Sequence, residues 1–494
     1  MEDAAATSNR ALGVSLRRQA FTGTLWSVLE NTGAQATSFL LFLIFARLID
    51  PGAIGLVQVA VTFLLFFTIF VEGGFATAIV QSGDTRPRLL STAFWLSFGG
   101  GTLIAIGLVP LAPFVARAYR IPELTPVVRT LAWVLPIITL ATVQQALLTR
   151  ELAFRTLAKR RLIAVLAGGI VGVVLAFRGF GVWALVARFG CEMAMACVMA
   201  WVLVPFRPQW TFSRDDARVL AAFSSRIVAA GILAFFTRRV DDIVVGLFLG
   251  PVALGYFAVA TRSVVLVTEV ALRAAQRTAL PIFARMSEPE RTARAFHGAV
   301  ELAAAFATPV FVGMSAVSEE LCLAVFGPKW LPVVPAMRIV GFSGGAIAVA
   351  AFVEPLLISL GRPAWVFYVS IFEAIVAIAC SLISVHFGLA AVAIGYVVRN
   401  YLALPAGLYL ARRSVGVSVL RVVKATLVPA LAALAMWLSV SGLRLPLAGL
   451  PPFVRLLVLV PCGAAVYAAV LWFLARSTVE RSFALVRGGG LSQR

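Results

Sequence analysis

"ARLIDPGAIGLVQVA" occupies residues 46–60, and "GLFLGPVALGYFAVA" occupies residues 246–260. Over the ten positions that begin at Pro51 and at Pro251, five residues coincide: Pro51/Pro251, Ala53/Ala253, Gly55/Gly255, Val59/Val259 and Ala60/Ala260. Shared Ala and Val mean little in an apolar chain. A Pro and a Gly at one spacing, each between long apolar runs, mark one structural event written twice. Two further echoes keep the same order. "VVRTLAWVLPIITLATVQQALL" aligns with "AMRIVGFSGGAIAVAAFVEPLL", pairing Arg129 with Arg338 and Gln145 with Glu354, and "FGVWALV" at 180–186 aligns with "FGLAAVA" at 387–393.

The setting of these repeats is a membrane. Of 494 residues, 61% are hydrophobic and 13% charged, and the mean hydropathy is +0.97. Soluble domains are about half apolar and a quarter charged, so most of this surface must face lipid. A span needs about 20 mostly apolar residues. Breaks at Pro, Gly and charge then predict about fourteen helices: 22–48, 53–80, 89–115, 125–149, 160–177, 181–205, 219–249, 252–276, 294–317, 332–360, 364–385, 388–411, 422–441 and 453–475. Six spans, an even number, separate the repeated turns, so the copies run the same way and are related by a pseudo-twofold axis along the membrane normal. The predicted fold is an all-α polytopic membrane protein with two parallel six-helix lobes around a central cavity. The lobes are 21–206 and 219–413, joined by a cytoplasmic linker at 207–218. Two further helices follow at 414–476, and the tails are 1–20 and 477–494.

Charge supplies the direction. If the N-terminus is cytoplasmic, the inside loops hold Arg86 and Arg88 and the basic stretches 150–161, 207–218, 273–294 and 412–424, with the Arg-rich tail. The outside loops hold Arg47, Arg117, Arg120, Arg178, Lys329 and Arg444. That asymmetry puts both termini in the cytoplasm. The formal net charge of +20 therefore sets orientation and is not a nucleic-acid footprint, which would sit on a soluble basic face. The polar first twenty residues have no apolar core before a cleavage site, so the first helix is expected to be retained. The five cysteines, Cys191, Cys197, Cys322, Cys380 and Cys462, have neither metal-ligand nor disulfide spacing. His297 and Glu301 lack a third ligand, so no metal is expected. Gly99-Gly100-Gly101 and Gly168-(x)3-Gly172 lie inside apolar spans and read as close helix contacts.

Charges at mid-bilayer cost about 2.5–3.5 kcal/mol each on insertion scales and need a reason. Helix 7 carries Arg238, Arg239, Asp241 and Asp242; Arg238/Asp242 and Arg239/Asp242 have the four- and three-residue spacings of a self-neutralising face. Glu269 and Arg273 have the four-residue spacing too. Arg262 and Arg399 have no carboxylate three or four positions away on their own helices, which favours a cavity. Asn400 adjoins Arg399, and Asn31 and Gln35 make the first helix polar. The acidic residues within reach of a cavity are Glu30, Glu72, Glu192 and Glu373, the candidates for ion coupling; Glu30 and Glu72 flank the repeated turn. The 180/387 alignment also puts Glu192 and Arg399 at matched positions.

At "FARLIDPGAIGLVQVA", "FVEGGFATAIVQSGD", "LSTAFWLS" and "RRVDDIVVGLFLGPVALGYFAVA" the chain resembles the polysaccharide transporter family of Wzx-like oligosaccharide flippases, within the multidrug/oligosaccharidyl-lipid/polysaccharide exporter superfamily. The resemblance covers roughly residues 20–410. It departs at Val71-Glu72-Gly73, where relatives more often carry Asp-x-Gly, and at Gln144-Gln145, where Pro is usual. It implies an inner-membrane flippase that moves undecaprenyl-pyrophosphate-linked oligosaccharides outward for capsule, exopolysaccharide or lipopolysaccharide synthesis, by ion-coupled alternating access, beside a polymerase and chain-length proteins. Under it Arg262, Arg399 and Arg239 would grip the pyrophosphate, since guanidinium binds phosphate oxygens bidentately. A multidrug or cation exporter is the alternative in the same superfamily. A membrane polymerase or ligase needs a large outside loop, and the outside stretches near 116–124 and 318–331 are short. No nucleotide-sugar or ATP motif is present, so neither a cofactor nor catalysis is expected.

Overall fold

A computed structural model describes residues 33, 35–72, 74–82, 86–286 and 288–474. Among the described residues there is no β-strand. Eleven helices among the described residues are long and apolar enough to cross a membrane, or twelve if a bent pair counts as one span. The first expected span is described only as α1 (Gln35–Leu48); Glu30 and Asn31 lie outside the described residues. Many helices expose large apolar side chains, among them Leu103, Ile170, Val202, Leu457 and Phe473. Only a lipid environment stabilises so much exposed apolar surface.

The chain forms two compact units, meeting between Ile232 and Leu233. The first contains α2 (Pro51–Glu72), α3 (Phe75–Ser82), α4 (Pro87–Tyr119), α5 (Leu124–Ala132), α6 (Val134–Leu140), α7 (Thr142–Arg150), α8 (Phe154–Phe177) and α9 (Val182–Leu203). Pro51 starts α2, where its missing N–H costs nothing. The single helix expected over 125–149 is instead three. Pro136 cannot accommodate the carbonyl of Ala132 four residues back, and α5 ends there; the second break, at Ala141, bends the pair by 41°. Gly168 and Gly172 do bring α8 and α9 together: a Cβ at Gly168 would lie 2.6 Å from the Arg188 carbonyl oxygen, and one at Gly172 2.7 Å from Arg188 Cβ. The Gly99–Gly101 run is different. Gly101 presses on Thr139, whereas a Cβ at Gly99 or Gly100 would meet nothing within 4 Å.

Residues 204–213 are fastened to α4. Trp95 Nε1 donates to the Gln209 carbonyl (2.9 Å), the Gln209 and Ser213 amides donate to Ser91 and Thr92, and Trp210 stacks on Trp95 at 4.4 Å. The next helix, α10 (Arg214–Ala271), begins behind Ser213, which accepts from the Asp216 amide. Asp215 and Asp216 occupy its first turn, where carboxylates suit the helix dipole. The first half of α10 packs into unit 1, with Leu220 in the cluster that includes Ile79, Ala93 and Val143. That packing puts the contact boundary inside α10, some way beyond the connection expected at 207–218.

The α10 axis breaks at Gly250, whose φ of 81° and ψ of 179° favour glycine. Pro251 restarts the helix, as Pro51 starts α2. Unit 2 continues with α11 (Arg273–Ala284), α12 (Pro289–Ala316), α13 (Ser318–Leu321), α14 (Val334–Val340), α15 (Gly344–Ser359), α16 (Pro363–Ser384), α17 (Leu389–Val415), α18 (Val419–Leu443) and α19 (Pro452–Leu474). The second copy of the repeat is broken too, by a 3-10 turn at Gly341–Ser343, one turn after Arg338, as α5 ends one turn after Arg129. Here the cause is close approach: Cβ atoms at Gly341 and Gly344 would collide with α12 at Phe311 and Ser315. Helix α12 is the hub of unit 2, burying Phe296, Val300, Ala304, Ala307 and Phe311. The last two helices join this core through Val312, Ala432, Met436 and Leu459, and Tyr467 Oη donates to the Ala305 carbonyl at 2.8 Å.

Candidate functional site

The site is built on "TRRVDD", residues 237–242 of α10. Successive helical residues point about 100° apart, so the two aspartates of this run face different neighbours. Asp242 takes Arg239 of its own helix, Nη1 to Oδ2 at 2.9 Å. Asp241 turns to α16 and α17 instead. Its Oδ2 lies 2.6 Å from Arg399 Nη1, and Ser381 Oγ donates to its Oδ1. Of the two pairings expected within this helix, Arg239 with Asp242 is present; Asp241, for which no partner on its own helix was expected, is neutralised from another helix. Likewise Arg399, with no acid on its own helix, is not an unpaired cation.

Close packing of α16 on α17 makes this possible, since a Cβ at Gly395 would lie 2.7 Å from Ser384 Oγ. The Arg399 guanidinium also lies over the Tyr396 ring, 4.5 Å from its centroid, a cation–π contact. Asn400 Nδ2 donates back to the Tyr396 carbonyl at 2.7 Å. The Arg399–Asp241 pair is buried, with side chains 12% and 5% exposed. Removing one member of such a pair typically costs about 3–5 kcal/mol, because the other charge is stranded.

These groups line a cavity of about 570 Å³ whose walls come from α10, α11, α15, α16 and α17. Its charged lining is Arg238, Arg239 and Arg399 against Asp241, Asp242, Glu354 and Glu373, with Thr237, Thr261, Gln276, Ser370, Tyr396 and Asn400 among the polar groups. Of the residues expected to act, Arg239, Arg399, Asn400 and Glu373 meet here. Arg262 does not line this cavity: Thr261 and Val265, four apart on one face, take the cavity-facing stripe, and Arg262 is turned about 100° from Thr261. Glu192 is half-buried at the α8–α9 contact, against Gly168. Gln35 is half-buried on α1, and Glu72 is exposed at the end of α2. Sequence reasoning missed Asp241, Glu354 and Tyr396 as cavity groups. The unmatched aspartate in "RRVDD" was the one available signal.

One other expected pair is present. Glu269 and Arg273 form their four-residue ion pair. His297 Nε2 accepts from the Ser418 amide at 3.1 Å, and no metal-binding cluster occurs among the described residues. A second network joins Arg338, Glu319, Glu320 and Arg444. A second cavity, of about 830 Å³, lies among α10, α12, α18 and α19 and is lined almost wholly by apolar side chains such as Phe306, Val310 and Leu471.

Residues 44–335 match a family described as polysaccharide biosynthesis protein. Over 351 residues, 71% of each chain, the sequence is 26% identical to the succinoglycan biosynthesis transport protein ExoT of Rhizobium meliloti (strain 1021). Over 358 residues, 72% of this chain and 74% of the other, it is 24% identical to the teichuronic acid biosynthesis protein TuaB of Bacillus subtilis (strain 168). Among solved structures, the lipid II flippase MurJ in an inward closed conformation superposes with a TM-score of 0.74 at 13% identity, covering 92% of this chain and all of that one. At that identity the likeness speaks for the fold.

Proposed function

The chain belongs to the polysaccharide biosynthesis protein family, and from that premise we propose that it flips undecaprenyl-pyrophosphate-linked oligosaccharides across the bacterial inner membrane. It carries its cargo and does not transform it. The observation that carries the reading is the polar cavity of unit 2, which puts Arg239, Arg399 and Asn400 among helices built to lie in lipid. Arginines there suit a pyrophosphate, whose oxygens a guanidinium grips in pairs. The sugars would cross by a hydrated path while the prenyl tail stays in lipid, by alternating access. Both termini face the cytoplasm in this reading, from the arginine-rich loops on that side. Arg262, which does not line this cavity, is a candidate headgroup contact outside it, with Asn31 and Gln35 as candidates in the first lobe. Glu373 is the coupling carboxylate the cavity favours; Glu30, Glu72 and Glu192 are the others. A polymerase and chain-length proteins would act on the delivered units.

The test is polymer export by Arg399→Ala. Export should be lost while the protein remains in the membrane, and Arg399→Lys should restore only part of it, since Lys keeps the charge without the bidentate grip. Normal export by Arg399→Ala would refute the assignment. One observation favours a second reading, a multidrug or cation exporter. The cavity holds four carboxylates against three arginines, an excess that suits a cationic cargo. Drug resistance lost in the same variant, with polymer unaffected, would select that reading.

A further inference from the structure

Arg239 and Arg399 both reach the cavity, and each already holds a carboxylate. The two pairs differ. Arg239 is 38% exposed beside Asp242 on its own helix. Asp241 is gripped from two other helices, by Arg399 at 2.6 Å and by the Ser381 hydroxyl, and its side chain is 5% exposed. An anion that reaches Arg399 has to take it from Asp241. We propose that Asp241 is the internal counter-ion of Arg399, displaced by a phosphate group when the ligand binds, and that Asp241 takes up one proton as it lets go. The inference rests on the pyrophosphate reading above and adds the residue that sets its affinity.

A carboxylate this deep, stripped of its cation, is costly in ionised form, and neutralisation is the ordinary escape. The groups facing it leave few other ways out. On α10 they are Arg238, Arg239 and Asp242; Arg239 is taken by Asp242, and Arg238 is exposed and interacts with Glu373. Glu354 on α15 and Glu373 on α16 add negative charge, so they oppose a second ionised acid. Cys380 on α16 and Tyr396 and Arg399 on α17 complete the set. A proton is the counter-charge that remains. Ser381 can bond both states, since a hydroxyl donates to a carboxylate and accepts from a carboxylic acid, but its bond to the ionised form is charge-assisted and the stronger one, so it favours the closed Arg399–Asp241 pair. One proton binds Asp241, the Arg399–Asp241 pair opens and an Arg399–phosphate pair closes. This proton travels with the ligand, so Asp241 is separate from the carboxylates that would reset the empty carrier.

The experiment uses the full chain in lipid nanodiscs and calorimetric titration with farnesyl-pyrophosphoryl-N-acetylglucosamine, a diester that does not itself titrate near neutral pH. Comparing buffers of different ionisation enthalpy counts protons. The wild type should take up about one proton per ligand bound. Asp241→Asn should bind more than about tenfold tighter, the equivalent of 1.4 kcal/mol, with no uptake. Ser381→Ala, which leaves every charge in place, should keep the uptake and bind a few-fold tighter; it carries the test if Asp241→Asn fails to fold. Binding by the wild type without proton uptake, uptake that persists in Asp241→Asn, or Ser381→Ala with unchanged affinity would each overturn the inference. No binding of the diester by the wild type would instead overturn the pyrophosphate reading beneath it.

Discussion

Replacing Arg444 with Gln tests what holds the last two helices to the rest of unit 2. Arg444 sits just past α18, with Nη2 3.0 Å from Glu320 Oε2 and donating also to the Ala316 carbonyl. Glu320 is 1% exposed and the Arg444 side chain 17%. The neighbouring pair, Arg338 with Glu319 at 2.7 Å, is shorter but much wetter, at 38% and 42%. Burial rather than distance decides between them. Losing one partner of a buried pair costs about 3–5 kcal/mol, whereas an exposed pair is worth about 0–1 kcal/mol. Arg444→Gln should therefore destabilise unit 2 by about 3–5 kcal/mol, and Arg338→Gln by less than about 1 kcal/mol. The double variant Glu320→Gln/Arg444→Gln strands no charge and should recover most of the loss. Thermal unfolding in detergent reads the order through Trp330, Trp437 and Trp472, which lie in this unit. The reasoning fails if Arg444→Gln melts no lower than Arg338→Gln, or if the double variant melts lower than Arg444→Gln alone.

Two further outcomes follow from packing and burial. Gly168→Val should abolish folded protein in membrane extracts, because its Cβ would sit 2.6 Å from a backbone oxygen of α9; Gly99→Ala, with nothing within 4 Å, should be neutral or stabilising, as fluorescence-detected size exclusion would report. Cys322, fully buried in the short π-helical turn after α13, has its thiol pushed up to about 11 by burial and then by Glu319. It should resist maleimide at neutral pH. Since the folded state holds this proton more tightly than the unfolded one, its contribution to local stability is whole below the ordinary thiol value of 9.0 and is lost as pH rises toward about 11, which labelling across that range would follow.

What the sequence makes legible is what is local. Apolar runs of span length and the Pro51/Pro251 echo identify the helices and the repeat because each signal lies within one turn or one span. The break at Ala132 was equally local, since Pro136 announces it, but hydropathy alone smooths over it. The face a helix turns to its neighbours is less legible. The second half of α10 is apolar on most sides, so nothing in its pattern says that Thr261 and Val265, and not Arg262, look into the cavity. The partner of Arg399 is the hardest case. Asp241 and Ser381 come from two other helices, and no periodicity relates them to position 399. A charge argument comes nearest. Once Arg239 is given to Asp242, helix 7 keeps an aspartate beside Arg238, which is exposed. A buried acid at membrane depth needs a cation from elsewhere, and Arg399 was one of the few deep arginines without an acid of its own. The same reasoning that made Arg399 a ligand site from sequence makes it, with its neighbour visible, a site whose occupancy a carboxylate must first release.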